Sequence, residues 1–426
     1  MDRVHITVRK DCRMIIESLK YNGQCSCGRE HKMVTECAVV ESGCLFQLAE
    51  YLKKYELTKG TVAVYDENTY KATSDRHPAV DFEVILSSEN LHANEHGVEL
   101  LQKELPSDAK VLIAIGSGTI HDITRYCAYE AGIDFVSCPT AASVDGFCSS
   151  VAAMTWKGSK KTLTAVAPRF VLADIDVIKQ APLYLAKSGF GDMVGKYVAL
   201  TDWKIGHILT DEFYCERIAE MTKDATKEVL NSAEGIISGD DAAYENLMYG
   251  LLLSGLAMQM MGNSRSASSA EHHISHIIEM SPEGLGVCSD ALHGEKVGVG
   301  TLLAVGEYHR IAAMKDIQWQ DYREYDREYI YEMFGERLTD EIIGENEKDS
   351  AYGITADMIQ NAFPQIVLAI QDMPTEVELK NIYDKLQIKS SLTDIDVPHE
   401  RVAKLLDYSP CVRNRLTWMR LRKCIK

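Results

Sequence analysis

No run of apolar residues in this sequence is long enough to cross a bilayer. The most lipid-like stretch, Leu251 to Met261, is short and is interrupted by Ser254, Gly255 and Gln259. The opening MDRVHITVRKDCRMII has no apolar segment of signal-peptide length behind its charges, so neither a leader nor membrane insertion is expected. Basic residues are the scarcer sign: 45 Lys and Arg against 63 Asp and Glu leave a net charge of −18. Nucleic acid and anionic lipid are poor partners for such a surface, because phosphate contacts need basic side chains. A small anionic substrate stays open, since a few local cations and a metal ion reverse the field inside a cleft. Internal repeats and low-complexity segments are also lacking.

What is present is ordinary globular material, 46% hydrophobic and 25% charged. A length of 426 residues exceeds the size at which one core keeps growing, so two domains are expected. Twelve cysteines without a secretion signal read as reduced thiols in a cytoplasmic protein. Cys127, Cys138, Cys148 and Cys215 sit among apolar or small residues and fit buried small hydrophobes. Cys25-x-Cys27-Gly28, with His31 and Cys37 nearby, is different. Its spacing is not the usual zinc knuckle, so a structural hairpin is expected there, with a metal site as the alternative.

Along the chain, short apolar runs alternate with helical patterns. CAVVE after Thr35-Glu36, TVAVY at Thr61 to Tyr65, FEVIL at Phe82 to Leu86, VLIAI at Val111 to Ile115 and Phe135 to Cys138 read as strands. Helical segments between them, such as Cys44 to Tyr55, argue for βαβ units and a parallel sheet. From about Leu183 long helical periods take over: Lys196 to His207, Glu212 to Leu230, Tyr244 to Met261 and Ala270 to Met280. The fold class expected is an α/β nucleotide-binding domain over residues 1–182 and an all-α domain over 183–426, divided near Ala181-Pro182. The acidic, tyrosine-rich stretch from Trp319 to Asp349 reads as a solvated helical face.

Three sets of residues suit chemistry. Gly116-Ser-Gly118-Thr119-Ile120-His121-Asp122 follows the VLIAI strand, where glycines let a ligand approach backbone and a helix N-terminus offers N–H groups to a pyrophosphate. It lacks the third glycine of the dinucleotide fingerprint, so a tight turn of any α/β domain stays equally open. Thr140-Ala-Ala-Ser143-Val144-Asp145-Gly146 follows the next strand, with small hydroxyl residues and a carboxylate where ligands bind open sheets. The third set is Asp192 after Gly189-Phe190-Gly191, His272, His273 and His276 in EHHISH, and His293 in His-Gly-Glu-Lys296. One carboxylate and two or more imidazoles suit a divalent transition metal, and three protein ligands leave a catalytic position open. His272 and His276, at i and i+4, share one helical face.

Together these motifs resemble the sn-glycerol-1-phosphate dehydrogenases, within the wider group of glycerol dehydrogenase, iron-type alcohol dehydrogenases and 3-dehydroquinate synthase. The similarity runs from about Val39 through Gly300, with a looser echo around Val412 to Leu421. Thr140 to Ser143 followed by Asp145-Gly146, and Asn263-Ser264-Arg265 leading into Glu271-His272, are its more specific parts. Val144 stands where the family often has histidine, and the segment after Glu279 is longer than in the wider group.

The resemblance implies a dehydroquinate synthase-like two-domain fold with its active site in the interdomain cleft. It implies NAD or NADP lined by Gly116, Gly118, Thr119, Ile120, His121, Asp122, Thr140, Ser143 and Ser149. The metal, which is zinc, nickel or iron, would be held by Asp192, His272 and His293, with His273 as the fallback for His272. Asp145, Asp192 and His276 would face a small phosphorylated substrate, its phosphate met by Arg265 or His276, or less readily by Lys296. The implied reaction is reversible reduction of dihydroxyacetone phosphate to sn-glycerol 1-phosphate by a homo-oligomer, dimer or larger. Glycerol or another polyol dehydrogenase is the nearest alternative. A dehydroquinate synthase-like lyase is the further one, although that group places glutamate where Asp192 stands.

Overall fold

A computed structural model describes residues 14–156 and 159–426. The opening segment read for a leader lies almost wholly outside the described residues, and no helix among those described is long and apolar enough to cross a membrane.

Eleven strands are described: β1 (Met14–Ile16), β2 (Gly23–Gln24), β3 (Glu30–His31), β4 (Cys37–Glu41), β5 (Thr61–Asp66), β6 (Phe82–Leu86), β7 (Val111–Gly116), β8 (Asp134–Pro139), β9 (Val151–Trp156), β10 (Ser159–Thr164) and β11 (Phe170–Asp174). Seven form one sheet in the order β1-β4-β11-β8-β7-β5-β6; every pairing is parallel except β1 with β4. β2 pairs with β3, and β9 with β10, as antiparallel ribbons.

The alternation of side chains explains why the central strands read as unbroken apolar runs. On β7, Val111, Ile113 and Ile115 join a core cluster with Leu48, Leu52 and Phe170. Leu112 and Ala114 join another with Ile120, Ile123 and Phe135. Both faces are covered, so no position on this strand is left polar. The chain leaves β5 for β6 on one side and then β7, β8 and β11 on the other. The order reverses between β5 and β7, and ligands of open sheets bind at the carboxyl ends beside such a reversal.

The helices that matter for function are α1 (Gly118–Ala131), α2 (Leu183–Val194), α3 (Lys196–Thr210), α4 (Asp241–Met261), α5 (Ala270–Met280) and α6 (His293–Ala312). The chain forms two compact units. The first takes the chain up to Phe190 together with Lys227–Asn263, and the second takes Gly191–Thr226 with Ser264–Lys426. The expected pairing of an α/β part with a helical part is present, and the described residues of the second unit carry no strand.

This division differs from the expected single boundary after residue 182 in two respects: the first unit runs on to Phe190, and it takes back Lys227–Asn263. Helix α4, placed by its period in the helical half, belongs to the first unit. Its residues from Leu251 to Ala257 are buried without a polar face, as befits a helix enclosed on all sides. It packs on β1, β4 and the turn Gly146–Cys148. Gly255 makes this possible, since a Cβ there would lie 2.8 Å from Cys148 Cβ and 2.9 Å from the Asp145 carbonyl oxygen.

The stretch from Trp319 to Asp349 also differs from expectation. Its helix, Arg327–Glu345, is interrupted at Gly335; Tyr331 is exposed, but Tyr322 is buried and Tyr325 and Tyr329 are half-buried. Tyr322 donates to Asp349 at 2.8 Å, and the buried Arg420 guanidinium donates to the same carboxylate at 3.0 Å. A fully buried cation recruits tyrosines and a carboxylate that the sequence read as surface.

Candidate active site

In the first unit, β7 and β8 end side by side, with Gly116 opposite Pro139, and the Thr140 N–H donates to the Gly116 carbonyl at 2.9 Å. The two small-residue loops expected to line a nucleotide are thereby joined. Helix α1 begins at Gly118, and Ser117 before it makes no side-chain cap bond. Its first N–H groups have no capping side chain, which is the condition for receiving a phosphate. Gly118 and Thr119 are half-buried, whereas Ile120 and His121 are not available to a ligand. Ile120 lies in the core. His121 points inward, with Nδ1 bonded to the Ser117 carbonyl at 2.9 Å and Nε2 to Ser137 Oγ at 2.8 Å. Burial, with Arg125 beside it, pushes the His121 imidazole down to about 3. The side chains of these two expected cofactor residues are thus buried and taken up within the unit.

The second loop is fastened from beneath by a residue the sequence did not single out. The fully buried Arg125 donates to the carbonyls of Ser149 at 2.8 Å, Val151 at 3.2 Å and Phe147 at 3.2 Å. Ser149 Oγ accepts the Val151 N–H at 3.1 Å, so this hydroxyl shapes the loop. Ser143 is buried, and its carbonyl accepts from Ser188 Oγ at 3.2 Å. Asp145 is half-buried and accepts from Ser254 Oγ on α4 at 2.8 Å. Asp122, half-buried on α1, lies 3.7 Å from the Arg125 guanidinium.

A Cβ at Gly118 would meet Val144 Cγ2 at 3.3 Å, a contact that a small shift relieves. Gly118→Val is therefore expected to fold and to weaken dinucleotide binding by about tenfold or more, by keeping the pyrophosphate off the helix N-terminus. Fluorescence titration with NADH and NADPH checks it; unchanged affinity in a folded variant would move the phosphate site elsewhere.

In the second unit, Asp192 on α2, His272 on α5 and His293 at the start of α6 converge, with one ligand atom from each within 4.8 Å of the others. His272 Nε2 lies 3.5 Å from Asp192 Oδ1. The other nitrogen of each imidazole is held by a carboxylate: His272 Nδ1 by Glu271 Oε1 at 2.7 Å, and His293 Nδ1 by Glu279 Oε1 at 2.8 Å. That arrangement fixes each ring and leaves Nε2 as the nitrogen that would meet a metal ion, as in histidine ligands. His276 completes the group, its Nδ1 on Glu279 Oε2 at 3.2 Å and its ring stacked on His293 with centroids 5.8 Å apart.

The donor set fits a divalent transition metal. Buried Lys196 adds a feature not foreseen: its Nζ donates to Asp192 Oδ1 at 2.8 Å and to the Ala267 carbonyl at 3.0 Å. Burial alone would raise the Asp192 carboxyl, but the Lys196 ammonium and His272 hold it far below the usual range, so it is ionised. Burial acts the other way on His272 and would lower it, yet Asp192 and Glu271 raise it to about 9. Burial takes His276 down to about 4, which keeps that ring neutral.

The helices reach this geometry through glycine. A Cβ on Gly191 would lie 2.3 Å from the Gly294 carbonyl oxygen, and one on Gly300 2.6 Å from that of Glu271. Glu295, in the His-Gly-Glu-Lys motif, caps α6 by accepting the Leu292 N–H at 2.8 Å.

Two expected residues fall outside the group. His273 is buried with both ring nitrogens unbonded, and burial drives it well below its ordinary value; the fallback ligand is set aside. Arg265 is buried and committed. It donates to Glu212 at 2.7 and 2.9 Å, to the carbonyls of Asp202 and Leu416 at 2.9 and 2.8 Å, and to Ser269 Oγ at 3.3 Å. Its guanidinium braces the second unit, and its expected contact with a substrate phosphate is corrected. Glu279 and Lys196 were legible only as i+3 of His276 and i+4 of Asp192.

The family model for iron-containing alcohol dehydrogenase matches residues 39–182. A glycerol-1-phosphate dehydrogenase with NAD(P)+ from Geobacillus thermodenitrificans (strain NG80-2) is 40% identical over 299 residues, 68% of this chain and 73% of the relative. One from Geobacillus stearothermophilus is 39% identical over 302 residues, covering 68% and 74%. Among solved structures, a probable glycerol dehydrogenase from Sinorhizobium meliloti 1021 matches with a TM-score of 0.55 at 20% identity, over 78% of this chain and 97% of that one.

Proposed function

The chain belongs to the glycerol-1-phosphate dehydrogenase family, and from that premise we propose that it reversibly reduces dihydroxyacetone phosphate to sn-glycerol 1-phosphate, using NADH or NADPH. The observation that carries the reading is the convergence of Asp192, His272 and His293, each imidazole oriented by its own carboxylate.

Asp192 Oδ1 and the Nε2 atoms of His272 and His293 would hold a zinc, nickel or iron ion, a donor set that suits all three. When bound, the nicotinamide supplies the hydride and the metal ion the Lewis acid that takes up charge on the ketone oxygen. The first N–H groups of α1 would bind the dinucleotide pyrophosphate, with Gly116, Thr140, Ser143 and Asp122 shaping the surroundings. Glu271 and Glu279 keep the imidazoles in the ligating tautomer. His276, neutral and with Nδ1–H donated to Glu279, has Nε2 as an acceptor, which suits a substrate hydroxyl better than a phosphate. Asp145 remains the first unit's candidate for a substrate hydroxyl. The described cysteines are free thiols, which supports a cytoplasmic setting.

A polyol dehydrogenase is the second reading, and one observation favours it: Arg265, the expected phosphate donor, is spent on Glu212. The deciding experiment compares NADH and NADPH oxidation with dihydroxyacetone phosphate and with unphosphorylated dihydroxyacetone, on protein of measured metal content. A higher kcat/KM for the phosphorylated ketone is expected; preference for the unphosphorylated one hands the function to the polyol class.

A further inference from the structure

The first unit carries a second cluster of ligand-type side chains that the proposed reaction does not use. β2 and β3 are two-residue strands, paired Gly23 with His31 and Gln24 with Glu30. The loop between them is folded back by two main-chain bonds, from the Cys25 N–H to the Arg29 carbonyl and from the Gly28 N–H to the Cys25 carbonyl, both 3.0 Å. Gly28 has φ +84°, while a Cβ there would meet nothing; glycine serves the backbone turn, not the space.

This turn gathers Cys25, Cys27 and His31. Their two sulfurs and a ring nitrogen all lie within 4.8 Å of one another, and Cys27 Sγ is 3.4 Å from His31 Nε2. Donors sharing a tetrahedral zinc ion at its usual bond lengths stand about 3.5 Å apart for sulfur and nitrogen and about 3.8 Å for two sulfurs. His31 is buried, and its Nδ1 is bonded to the Met260 carbonyl on α4 at 2.9 Å. A carbonyl accepts only from N–H, so Nδ1 carries the proton and Nε2, beside Cys27, keeps its lone pair. That is the tautomer of a metal-bound histidine, with a carbonyl behind it fixing the ring.

So short a ribbon is marginal by itself. Downstream it is fastened to α4: the Gln259 side chain accepts the N–H groups of Val34 at 3.0 Å and Thr35 at 3.3 Å. At the thiol end Cys25 and Cys27 are both partly exposed.

We propose that Cys25, Cys27 and His31 bind a second divalent metal ion, zinc by the softness of its donors, which clips this ribbon in place and takes no part in hydride transfer. Binding forms two sulfur–zinc bonds and one nitrogen–zinc bond and releases the two thiol protons to solvent; no electron moves. The two thiolates balance the charge of the ion, and the fourth position is completed by a donor from outside the ribbon. This site is independent of the reading proposed for Asp192, His272 and His293.

The test is cobalt substitution of the full-length protein with elemental analysis. Two metal ions per chain are expected in the wild type, and the cobalt form should show a near-ultraviolet thiolate-to-cobalt charge-transfer band, which an Asp-His-His site has no sulfur to produce. Cys27→Ser should lose that band and one metal equivalent while keeping the other. His293→Ala should do the reverse. His31→Cys should retain the ion with a stronger band, as the variant that separates ligation from folding. Absence of the band in the wild type overturns the proposal without recourse to any variant. So does unchanged metal content in Cys27→Ser, or a Cys25–Cys27 disulfide in protein prepared without air.

Discussion

His293→Ala is expected to lose the metal of the second unit and to lower kcat by about a thousandfold or more, the several kcal/mol that Lewis-acid stabilisation contributes. His293 is the cleanest ligand to remove. Its side chain is 29% exposed, whereas those of Asp192 and His272 are almost wholly buried. Asp192→Ala should be equally inactive for a mixed reason. It leaves the Lys196 ammonium buried with no carboxylate, and breaking such a pair costs about 3–5 kcal/mol of folding stability. His273→Ala should keep the metal and most turnover, with a loss of stability from the vacated core. Metal content by elemental analysis, NADH binding and thermal melting, measured on all three, separate these outcomes. Near-normal metal in His293→Ala would refute the triad, and metal loss in His273→Ala would mean the neighbouring histidine is the ligand.

A single methyl group at position 191 should cost nearly as much without touching a ligand. Gly191 precedes Asp192 and faces Gly294, which follows His293. In Gly191→Ala the new Cβ would sit 2.3 Å from the Gly294 carbonyl oxygen, 3.2 Å from its carbon and 3.5 Å from the Gly298 Cα. All three contacts are backbone, so no side chain can swing aside. Helices α2 and α6 must separate by about 1 Å, and each carries one metal ligand at the point of separation. Misplacement of that size costs on the order of a hundredfold in rate, and metal affinity should fall about 10- to 100-fold, as when the surroundings of a metal ligand are disturbed. Overpacking adds a stability loss of about 1–3 kcal/mol. Metal titration of the chelator-treated variant checks this, with excess metal restoring occupancy but only part of the turnover. Wild-type affinity would show that the helices yield without moving the ligands.

How far the sequence reached can be judged element by element. VLIAI, FEVIL and Ala270 to Met280 appear as strand, strand and helix at or near their expected limits. VLIAI is buried on both faces and Ala270 to Met280 keeps a clean helical period, whereas FEVIL is an edge strand with only Val84 and Leu86 buried. Phe170–Asp174 was hidden: five residues between Pro168 and a short helix give too little period, although the strand is wholly buried in mid-sheet. β9 is an unbroken run of mostly small residues and β10 is mostly Ser, Lys and Thr, and both stand outside the main sheet, so their signal is weak. The convergence of Asp192, His272 and His293 was legible because carboxylate and imidazole in apolar helices are costly unless used. Glu279 and Lys196 were not, since their value lies in which helical face meets which neighbour. Arg265 misled for the same reason: a cation beside a metal helix suits an anionic substrate until Glu212 is seen to hold it. Among the residues expected at a nucleotide, the glycines do stand at the strand-to-helix turn, but the inward side of α1 claimed the side chains of Ile120 and His121.

The return of Lys227–Asn263 to the first unit sets an order on the birth of the protein. A ribosome delivers the sheet strands, then Gly191–Thr226 of the other unit, and only afterwards α4, which covers β1 and β4. At roughly 5–20 residues per second that interval is several seconds. Throughout it the apolar side chains destined to meet α4 have no cover, a condition in which chains aggregate or are held by chaperones. Slowing translation between Gly191 and Asn263 would prolong that exposure. A fragment ending at Phe190 would never leave it, and adding the Lys227–Asn263 segment as a separate peptide should draw such a fragment out of the insoluble fraction.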